Sequence, residues 1–505
     1  MPPAAPSEGS RSRLRVYDTL TRQKDEFRPI QPGKVGMYLC GPTVYKPSHI
    51  GHMVGPVIFD TVKRYLTYLG FEVTWVVNVT DVDDKLIARA RELGTTVKDL
   101  AERMTADYLE GLRKLDVTGI DRMPRATEHV PGMIAMIQGL IARGYAYAAG
   151  GDVYFDITKD DDYGKLCNRD PEQLEAGVRI EVSDKKRSPG DFALWKGAKP
   201  DEPADVQFDS PWGKGRPGWH IECSVMSMEY LGETLDVHGG GLDLQFPHHE
   251  NELAQSESYT GKPFARVWMH NGLLKMGHAK MAGSVGNVVN VSDLLAKHDP
   301  ETVRFLLLAT HYRSPIEYSE GRLHEVRRSL ENFYRFFERY ARVTKEDFYR
   351  LEAPSRRAPF DVTAGNALLQ DVARLRETFL EAMDDDFNTG AAVGVLFELL
   401  TTLNRYSDEK RLEDAPGPDC VASFRRGVVV LRELGGILGL FQSPPASAGR
   451  GSDQLVGQLM QLLIDLRNEA RKSKNFAMAD QIRSRLGQLG VTLEDRPGGT
   501  GWRRG

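Results

Sequence analysis

Two thiols, an imidazole and a carboxylate stand in a pattern that could hold a metal ion. His248 and Glu252 are four residues apart in the run FPHHENE, so a helix starting at Pro247 would place them on one face. Cys40 ends a predicted strand, and Cys223 follows the run WHIE much later in the chain. Two sulfurs, one imidazole and one carboxylate form a tetrahedral zinc set. These four residues are therefore predicted zinc ligands, although a histidine such as His248, taken alone, is more often an ordinary surface or core residue.

A second pattern, His49-Ile50-Gly51-His52, lies between the first predicted strand and the first long predicted helix. Two imidazoles at a helix N-terminus can donate to the oxygens of a phosphoryl group under attack. Gly51 would let a flat base approach the backbone. Since two histidines near a turn are common on protein surfaces, this pattern alone leaves a phosphate site and a chance pairing equally open.

A glycine run, Gly239 to Gly241, follows His238 and precedes Asp243. Read as a turn, it would let the backbone come close to a ligand at Gly240, while Asp243 could accept a hydrogen bond from a ribose hydroxyl. Three glycines in a row are weak evidence by themselves.

The C-terminal segment carries residue types that read nucleic acid bases. From Asp465 onward there are nine Arg and Lys residues against five acids. Arg471 could bond a guanine edge, Phe476 could stack on a base, and Asp480 and Asp495 could accept from exocyclic amines. The other interpretation is a solvated helix face.

The elements around these residues predict a nucleotide-binding fold. The order is a strand at Val35 to Cys40, a helix at Val57 to Leu69, a strand at Glu72 to Val77 and a helix from Asp84 onward. This opening is typical of the βαβ half of a doubly wound parallel sheet, that is, an α/β fold of Rossmann type. Ligands of such sheets bind at the carboxyl ends of the strands.

The rest of the chain divides by composition. A polar, Gly/Pro-broken segment reads as an insertion, helical periodicity follows, and a Ser/Pro/Gly stretch reads as a linker. The predicted organisation is a disordered tail (1–13), a nucleotide-binding fold in two halves (14–127 and 218–275) around an insertion (128–217), a further segment (276–322), a helical bundle (323–442), a linker (443–453) and a C-terminal domain (454–505).

Composition excludes several classes of protein. The 505 residues are 41% hydrophobic and 27% charged, with a net charge of −5, which is unlike a disordered, fibrous or membrane-spanning chain. Four scattered cysteines do not make a disulfide framework and favour a reducing cytosol. Residues 1–13 lack the apolar core of a secretory signal. We therefore expect a cytoplasmic protein without a membrane partner.

Six motifs in order give a specific resemblance over nearly the whole chain. They are YLCGPTVY, HIGH, NVTDVDDK, GRPGWHIECS, HGGGLDLQFPHHENE and LEDRPGGTGWRRG. Together they resemble the class I cysteinyl-tRNA synthetases. The resemblance implies cysteine–tRNA ligase activity with L-cysteine, ATP with Mg²⁺, and tRNA-Cys as substrates, one zinc ion per chain, and a monomer. It also implies two steps, cysteinyl-adenylate formation and transfer to the tRNA 3′ end, with zinc selecting the substrate thiol. By the same resemblance, the two-part fold is the catalytic domain with a connective insertion, residues 276–322 hold a KMSKS-like signature loop and a stem-contact region, and residues 454–505 bind the anticodon.

The same resemblance assigns residues. It implies that zinc is held by Cys40, Cys223, His248 and Glu252. It places Thr43, Thr80, Trp219 and His238 around the substrate cysteine. It places His49, Gly51, His52, Gly240, Asp243, Lys280 and Gly283 around ATP, with His49, His52 and Lys280 catalytic. It implies that Arg471, Phe476, Asp480 and Asp495 read the anticodon GCA, with Phe476 where an indole is common.

One motif departs from the family. The loop normally written KMSKS is Lys280-Met281-Ala282-Gly283-Ser284 here, so a glycine stands in place of the second lysine. A missing charge near the leaving pyrophosphate would slow adenylation, unless Lys280 or the upstream Lys275 compensates. The departure keeps open a weakened paralogue that binds tRNA or cysteine as a regulator. A cysteine ligase of the mycothiol pathway is the other alternative, but its small amine acceptor would not need an anticodon reader.

Overall fold

The computed structural model describes residues 14–168, 184–276, 279–280, 288–362, 365–414, 417–445, 447–496 and 499–504. The chain forms two compact units, residues 1–442 and 443–505. The strands are β1 (Arg15–Asp18), β2 (Gln23–Glu26), β3 (Lys34–Leu39), β4 (Glu72–Val77), β5 (Ala146–Ala149), β6 (Asp152–Phe155), β7 (Phe192–Gly197), β8 (Gly215–Pro217), β9 (Leu235–Gly241), β10 (Ala265–Asn271), β11 (Leu274–Met276), β12 (Ala279–Lys280), β13 (Ile316–Tyr318), β14 (Val491–Arg496) and β15 (Gly499–Arg504).

The α-helices of the described residues follow the same chain order. They are α1 (Gly51–Tyr68), α2 (Asp84–Leu93), α3 (Val97–Lys114), α4 (Val130–Ala142), α5 (Trp219–Leu231), α6 (Glu250–Thr260), α7 (Val291–Lys297), α8 (Pro300–Leu308), α9 (Glu320–Thr344), α10 (Ala367–Asp384), α11 (Thr389–Glu409), α12 (Pro418–Ile437), α13 (Ser447–Lys472) and α14 (Phe476–Gln488).

A four-stranded parallel sheet lies at the centre of the first unit, in the order β10-β9-β3-β4. Side chains of successive residues point to opposite faces, so Met37 and Leu39 enter one hydrophobic core while Tyr38 enters another. Helix α1 packs against one of these cores and α5 against the other. This confirms the predicted α/β doubly wound fold. Helix α1 starts earlier than predicted, inside the HIGH motif.

The predicted insertion contains more regular structure than its polar sequence indicates. Helix α4 is followed by a four-stranded antiparallel sheet in the order β5-β6-β7-β8. The sequence predicts β6 but not β5, β7 or β8, since Gly and Pro interrupt the segment that contains them. Strand β8 ends at Pro217, and α5 begins at Trp219.

The helical bundle predicted for the later part of the first unit is present as α9 to α12. Its buried residues, such as Phe333, Leu396 and Leu431, belong to the same hydrophobic cluster as one face of the parallel sheet. The catalytic fold and the bundle therefore share a continuous core. Among the described residues, no helix is both long and apolar enough to cross a bilayer.

The second unit consists of α13, α14 and the antiparallel hairpin of β14 and β15. Its small core includes Met460, Ile464, Leu486 and Leu493. Helix α13 begins at Ser447, so the linker predicted for 443–453 is wrong over 447–453. The Ser/Ala/Gly composition permits a helix once the amphipathic segment after it is helical, since elongation costs less than nucleation.

Candidate active site

The first group of predicted site residues meets at the carboxyl ends of the parallel strands. Cys40 directly follows β3, and its backbone N–H donates to the Gly239 carbonyl on the neighbouring strand β9 at 3.0 Å. Cys223 comes from the first turns of α5. His248 lies in a short helical turn, Gln245–His249, that runs directly into α6. This edge is where ligands bind in doubly wound sheets.

The four predicted zinc ligands converge on one point. The Cys40 and Cys223 sulfurs are 3.7 Å apart, and the Cys40 sulfur is 3.4 Å from Oε1 of Glu252. His248 Nε2 lies 2.9 Å from that same oxygen, as the spacing of four residues predicts. One donor atom from each of the four residues lies within 4.8 Å of the other three. We call Cys40, Cys223, His248 and Glu252 the thiol cluster.

Charges within the thiol cluster suit a cation. Burial works against the charged forms, yet the His248 and His238 rings hold the pKa of Glu252 well below its usual range. Burial is likewise outweighed at His248, where Glu252 and Cys223 raise the pKa to about 10. The pKa of Cys223 falls to about 6 despite burial, because Cys40 and His248 stabilise its thiolate, whereas burial raises the pKa of Cys40. A proton on His248 offsets only one of the two negative charges, those of Glu252 and Cys223, and the negative charge left over suits a cation.

Sequence reasoning misses a second arrangement at the same point. Cys40 and Glu252 also lie within 4.8 Å of donor atoms of His238 and His249. His249 donates to or accepts from His270 at 2.8 Å, and the other ring nitrogen of His270 is 2.9 Å from the Thr19 hydroxyl. The position of His249 next to His248 is the only sequence signal for this chain of contacts.

The residues expected around the substrate cysteine border the thiol cluster. Trp219 stacks on His248 with ring centroids 4.0 Å apart, and His238 Nε2 lies 3.8 Å from the Cys40 sulfur. Thr80 forms a backbone bridge with Thr43 and donates its hydroxyl to the buried Glu222 at 2.8 Å. Glu222, next to Cys223 in sequence, is a site neighbour that the sequence analysis did not find; burial raises its pKa strongly.

The two histidines of the HIGH motif lie side by side at the start of α1. Their rings stack with centroids 3.7 Å apart, and His52 Nδ1 accepts from the His49 backbone N–H at 3.3 Å. Burial, and then the His49 charge, lower the pKa of His52 to about 3. Burial also lowers the pKa of His49, against the opposing charge of Asp243. Both rings are therefore neutral at pH 7, and His49 Nδ1 is buried without a hydrogen-bond partner among the described residues.

The glycine run differs from the turn expected from the sequence. Gly239 to Gly241 belong to strand β9. A Cβ atom on Gly240 would lie 2.8 Å from the His249 ring and 2.9 Å from Leu244. A glycine is therefore required at position 240 by the His249 and Leu244 side chains, independently of any ligand.

The KMSKS-like segment is described only in part. Lys280 ends β12, and the Cα register places it opposite Lys275 of β11 in an antiparallel pair. The two lysines are therefore neighbours across a pair of strands. Gly283 lies outside the described residues.

In the second unit, three of the predicted base-reading residues are exposed. Arg471 lies at the end of α13, Phe476 begins α14 and is 60% exposed, and Asp480 follows one turn later. Asp495 lies in β14, where its side chain is outside the described part of the structure. The two helices are joined by a short turn, in which the Lys474 N–H donates to the Arg471 carbonyl at 3.1 Å.

Family models match three parts of this chain. The class I (C) tRNA synthetase catalytic domain covers residues 26–328, a DALR domain covers 378–442, and the cysteinyl-tRNA ligase anticodon binding domain covers 460–503.

Curated relatives match almost all of it. A cysteine–tRNA ligase of Geobacillus thermodenitrificans is 47% identical over 494 residues, covering 98% of this chain and 100% of the relative. One of Symbiobacterium thermophilum is 48% identical over 496 residues, covering 97% and 99%. A methionyl-tRNA synthetase of Mycobacterium tuberculosis, solved with methionyl-adenylate, has a TM-score of 0.60 at 15% identity, over 80% of this chain and 90% of that one, and so shows the shared fold alone. The chain therefore belongs to the cysteine–tRNA ligases, enzymes of the class I aminoacyl-tRNA synthetase family.

Proposed function

We propose that this chain joins L-cysteine to tRNA-Cys in two steps, using ATP. The observation that carries the proposal is the buried thiol cluster at the carboxyl end of β3. The stacked pair of His49 and His52 follows β3 in the chain. The first group can hold a thiol substrate, and the second can hold a phosphate. The anticodon domain match supports tRNA as the acceptor.

We propose that one zinc ion per chain is held by Cys40, Cys223, His248 and Glu252. Two sulfurs, an imidazole and a carboxylate are donors that zinc prefers, and the negative charges of Cys223 and Glu252 exceed the single positive charge of His248. When bound, zinc supplies a soft Lewis acid that prefers a thiolate to a hydroxyl, and that preference distinguishes cysteine from serine without an editing site. His249 and His238 form the wall beside it.

The protein residues position the substrates and stabilise charge. Trp219, His238, Thr43 and Thr80 enclose the amino acid, which presents its carboxylate to ATP. A carboxylate oxygen attacks the α-phosphorus, the bond to the bridging oxygen breaks, and pyrophosphate leaves with its Mg²⁺. Neutral His49 and His52 donate N–H groups to the phosphate oxygens as negative charge moves onto them. We propose that Gly51, Gly240, Asp243 and Lys280 contribute to the nucleotide site; the resemblance assigns Gly283, which is outside the described residues, to the same site.

The second step needs no protein nucleophile. A hydroxyl of the terminal tRNA ribose attacks the adenylate carbonyl carbon, the bond to the phosphate breaks, AMP leaves, and the hydroxyl proton is released. Holding the two reactants together supplies most of the rate. Arg471, Phe476, Asp480 and Asp495 are proposed to read the anticodon. We also propose a monomer, as the family resemblance implies, and a cytoplasmic location, since four scattered cysteines suit a reducing compartment.

The glycine at position 283 favours one alternative, a weakened paralogue that binds cysteine or tRNA without charging it. A cysteine-dependent exchange of pyrophosphate into ATP separates the two functions, followed by charging of tRNA-Cys. We expect exchange with cysteine alone and charging when tRNA is added. Tight cysteine binding without exchange would favour the paralogue. Cysteine-dependent exchange, with transfer of the cysteinyl group to an amino sugar and release of AMP but no charging of tRNA, would favour the mycothiol-type ligase.

A further inference from the structure

A buried carboxylate in the helical bundle, Asp386, has no place in the chemistry above and has an unusual backbone. Its side chain is 0% exposed, and it sits between α10 and α11. Asp386 and Phe387 both have positive φ, 63° and 50°. Positive φ at a bulky residue such as Phe387 costs free energy, so the surrounding contacts must hold this turn in place.

Asp386 joins three segments that are distant in sequence. Its Oδ1 accepts from the Tyr17 backbone N–H at 2.9 Å and from the Tyr312 hydroxyl at 2.8 Å, and its Oδ2 accepts from Nε of Arg313 at 2.8 Å. Its own N–H donates to the Arg15 carbonyl at 2.8 Å. Thr389, at the start of α11, adds a hydrogen bond to the Thr310 carbonyl at 3.1 Å. The bundle thus binds residues 310–313 through both charge-assisted and neutral hydrogen bonds.

Residues 312–316 in turn fix the base of the β11–β12 hairpin. The Tyr312 carbonyl accepts from the Gly272 N–H at 2.8 Å, and the Ile316 N–H donates to the Leu273 carbonyl at 3.1 Å. The approach at Gly272 is so close that an added Cβ would lie 2.1 Å from the Ser314 carbonyl oxygen. Strand β13 then pairs in parallel with β11, starting with Ile316 opposite Leu274.

We propose that Asp386 is a positioning residue for adenylation, acting from the bundle through Tyr312 and Arg313 on the hairpin that ends at Lys280. This inference rests on the proposed function, in which Lys280 contacts ATP. The contact chain runs from the bundle to the strand directly opposite Lys280. Displacement of a reacting group by about 1 Å can cost on the order of 10²-fold in rate, so a loosened hairpin base would slow adenylation without touching the thiol cluster.

The bundle offers a matched control. Glu433 is also buried, and it accepts from the Tyr68 hydroxyl at 2.6 Å and from Nε of Arg376 at 2.9 Å. It thus repeats the carboxylate, tyrosine and arginine of the Asp386 site. Tyr68, however, is at the opposite end of α1 from the HIGH motif, and Glu433 does not touch the hairpin base.

The experiment compares two pairs of full-length variants. Asp386→Asn can keep the Tyr17 and Tyr312 bonds but loses the charge facing Arg313, and Tyr312→Phe removes one hydroxyl. Glu433→Gln and Tyr68→Phe make the same changes at the control site. For each variant we would measure the single-turnover adenylation rate, the cysteine dissociation constant, the thermal midpoint and the hydrogen exchange of amides 273–276.

We expect Asp386→Asn and Tyr312→Phe to lower the adenylation rate by about 10- to 100-fold with unchanged cysteine affinity, and to speed amide exchange at the hairpin base. The control pair should lower the thermal midpoint as much as the Asp386 pair does. Its adenylation rate and its amide exchange at the hairpin base should stay near those of the parent. Equal losses in the two pairs, or an unchanged rate in the Asp386 pair, would overturn the inference. A parent chain without cysteine-dependent exchange would instead overturn the proposed function, and the amide exchange would still decide whether Asp386 holds the hairpin.

Discussion

The thiol cluster and the exposed face of the second unit recognise their proposed ligands in opposite ways. The cluster draws donors from three separate segments, and the protein itself buries Cys223, His248 and Glu252 nearly or fully. Phe476, by contrast, is 60% exposed at the start of a helix in a unit with a small core. A small, reactive ligand needs a site that excludes water and is already ordered. A large, charged partner can instead bind an exposed surface through many separate contacts.

The largest expected effect is at the cluster. Cys223→Ser removes one donor from a buried, charged group, so we expect zinc content well below one per chain and a fall in cysteine-dependent exchange on the order of 10²- to 10³-fold. Cys420→Ser, which changes a half-buried thiol of α12, is the control. Metal analysis and exchange kinetics check the prediction. Zinc content and cysteine affinity equal to the parent's would remove Cys223 from the ligand set.

The next effect concerns the HIGH motif. His52→Ala should lower the adenylation rate by on the order of 10²-fold while leaving cysteine affinity intact, because the contact strengthens only as charge develops on the phosphate. Rapid-quench measurement of adenylate formation is the readout. His129→Ala, which removes a buried imidazole of the insertion, serves as control. Parallel losses in binding and rate would assign His52 to ground-state binding.

A smaller effect, confined to tRNA, is expected in the second unit. Phe476→Ala should weaken tRNA-Cys binding by about 1–3 kcal/mol, the usual contribution of one stacked base, and leave pyrophosphate exchange unchanged. Leu489→Ala in the same unit changes a side chain that is 78% exposed and should affect neither. The charging KM for tRNA is the measurement. Loss of exchange in Phe476→Ala would show that the two regions are not independent.

The smallest effect is expected at the signature loop. Gly283→Lys restores a cation where pyrophosphate leaves, so we expect a faster single-turnover adenylation, by less than the order of 10² that a preorganised charge can supply. Cysteine affinity should not change. An unchanged rate in Gly283→Lys, together with a fall in Lys275→Ala, would mean that Lys275 already compensates.

Local patterns predict the elements that carry the site. The β-branched and aromatic run Glu72–Val77 is strand β4, and the spacing of His248 and Glu252 gives their contact at 2.9 Å. Both depend on periodicity within a few residues, which a sequence contains directly.

Tertiary contacts explain what the sequence does not predict. The contact of His270 with Thr19, and the link from Asp386 to Arg313, join segments 251 and 73 residues apart, and only the tertiary fold brings them together. The strand conformation of Gly239 to Gly241 depends on pairing with β3 and β10, which outweighs the turn preference of glycine. The helix over 447–453 likewise depends on the amphipathic segment that follows it.

The central claim is that the thiol cluster holds a metal ion that selects the substrate thiol. The direct test measures pyrophosphate exchange with L-cysteine and with L-serine while zinc is removed by a chelator and then restored. We predict exchange with cysteine and not with serine, loss of that exchange in proportion to zinc removed, and recovery on zinc addition. Metal-free protein that still exchanges with cysteine at the parent rate, and still rejects serine, would contradict the claim.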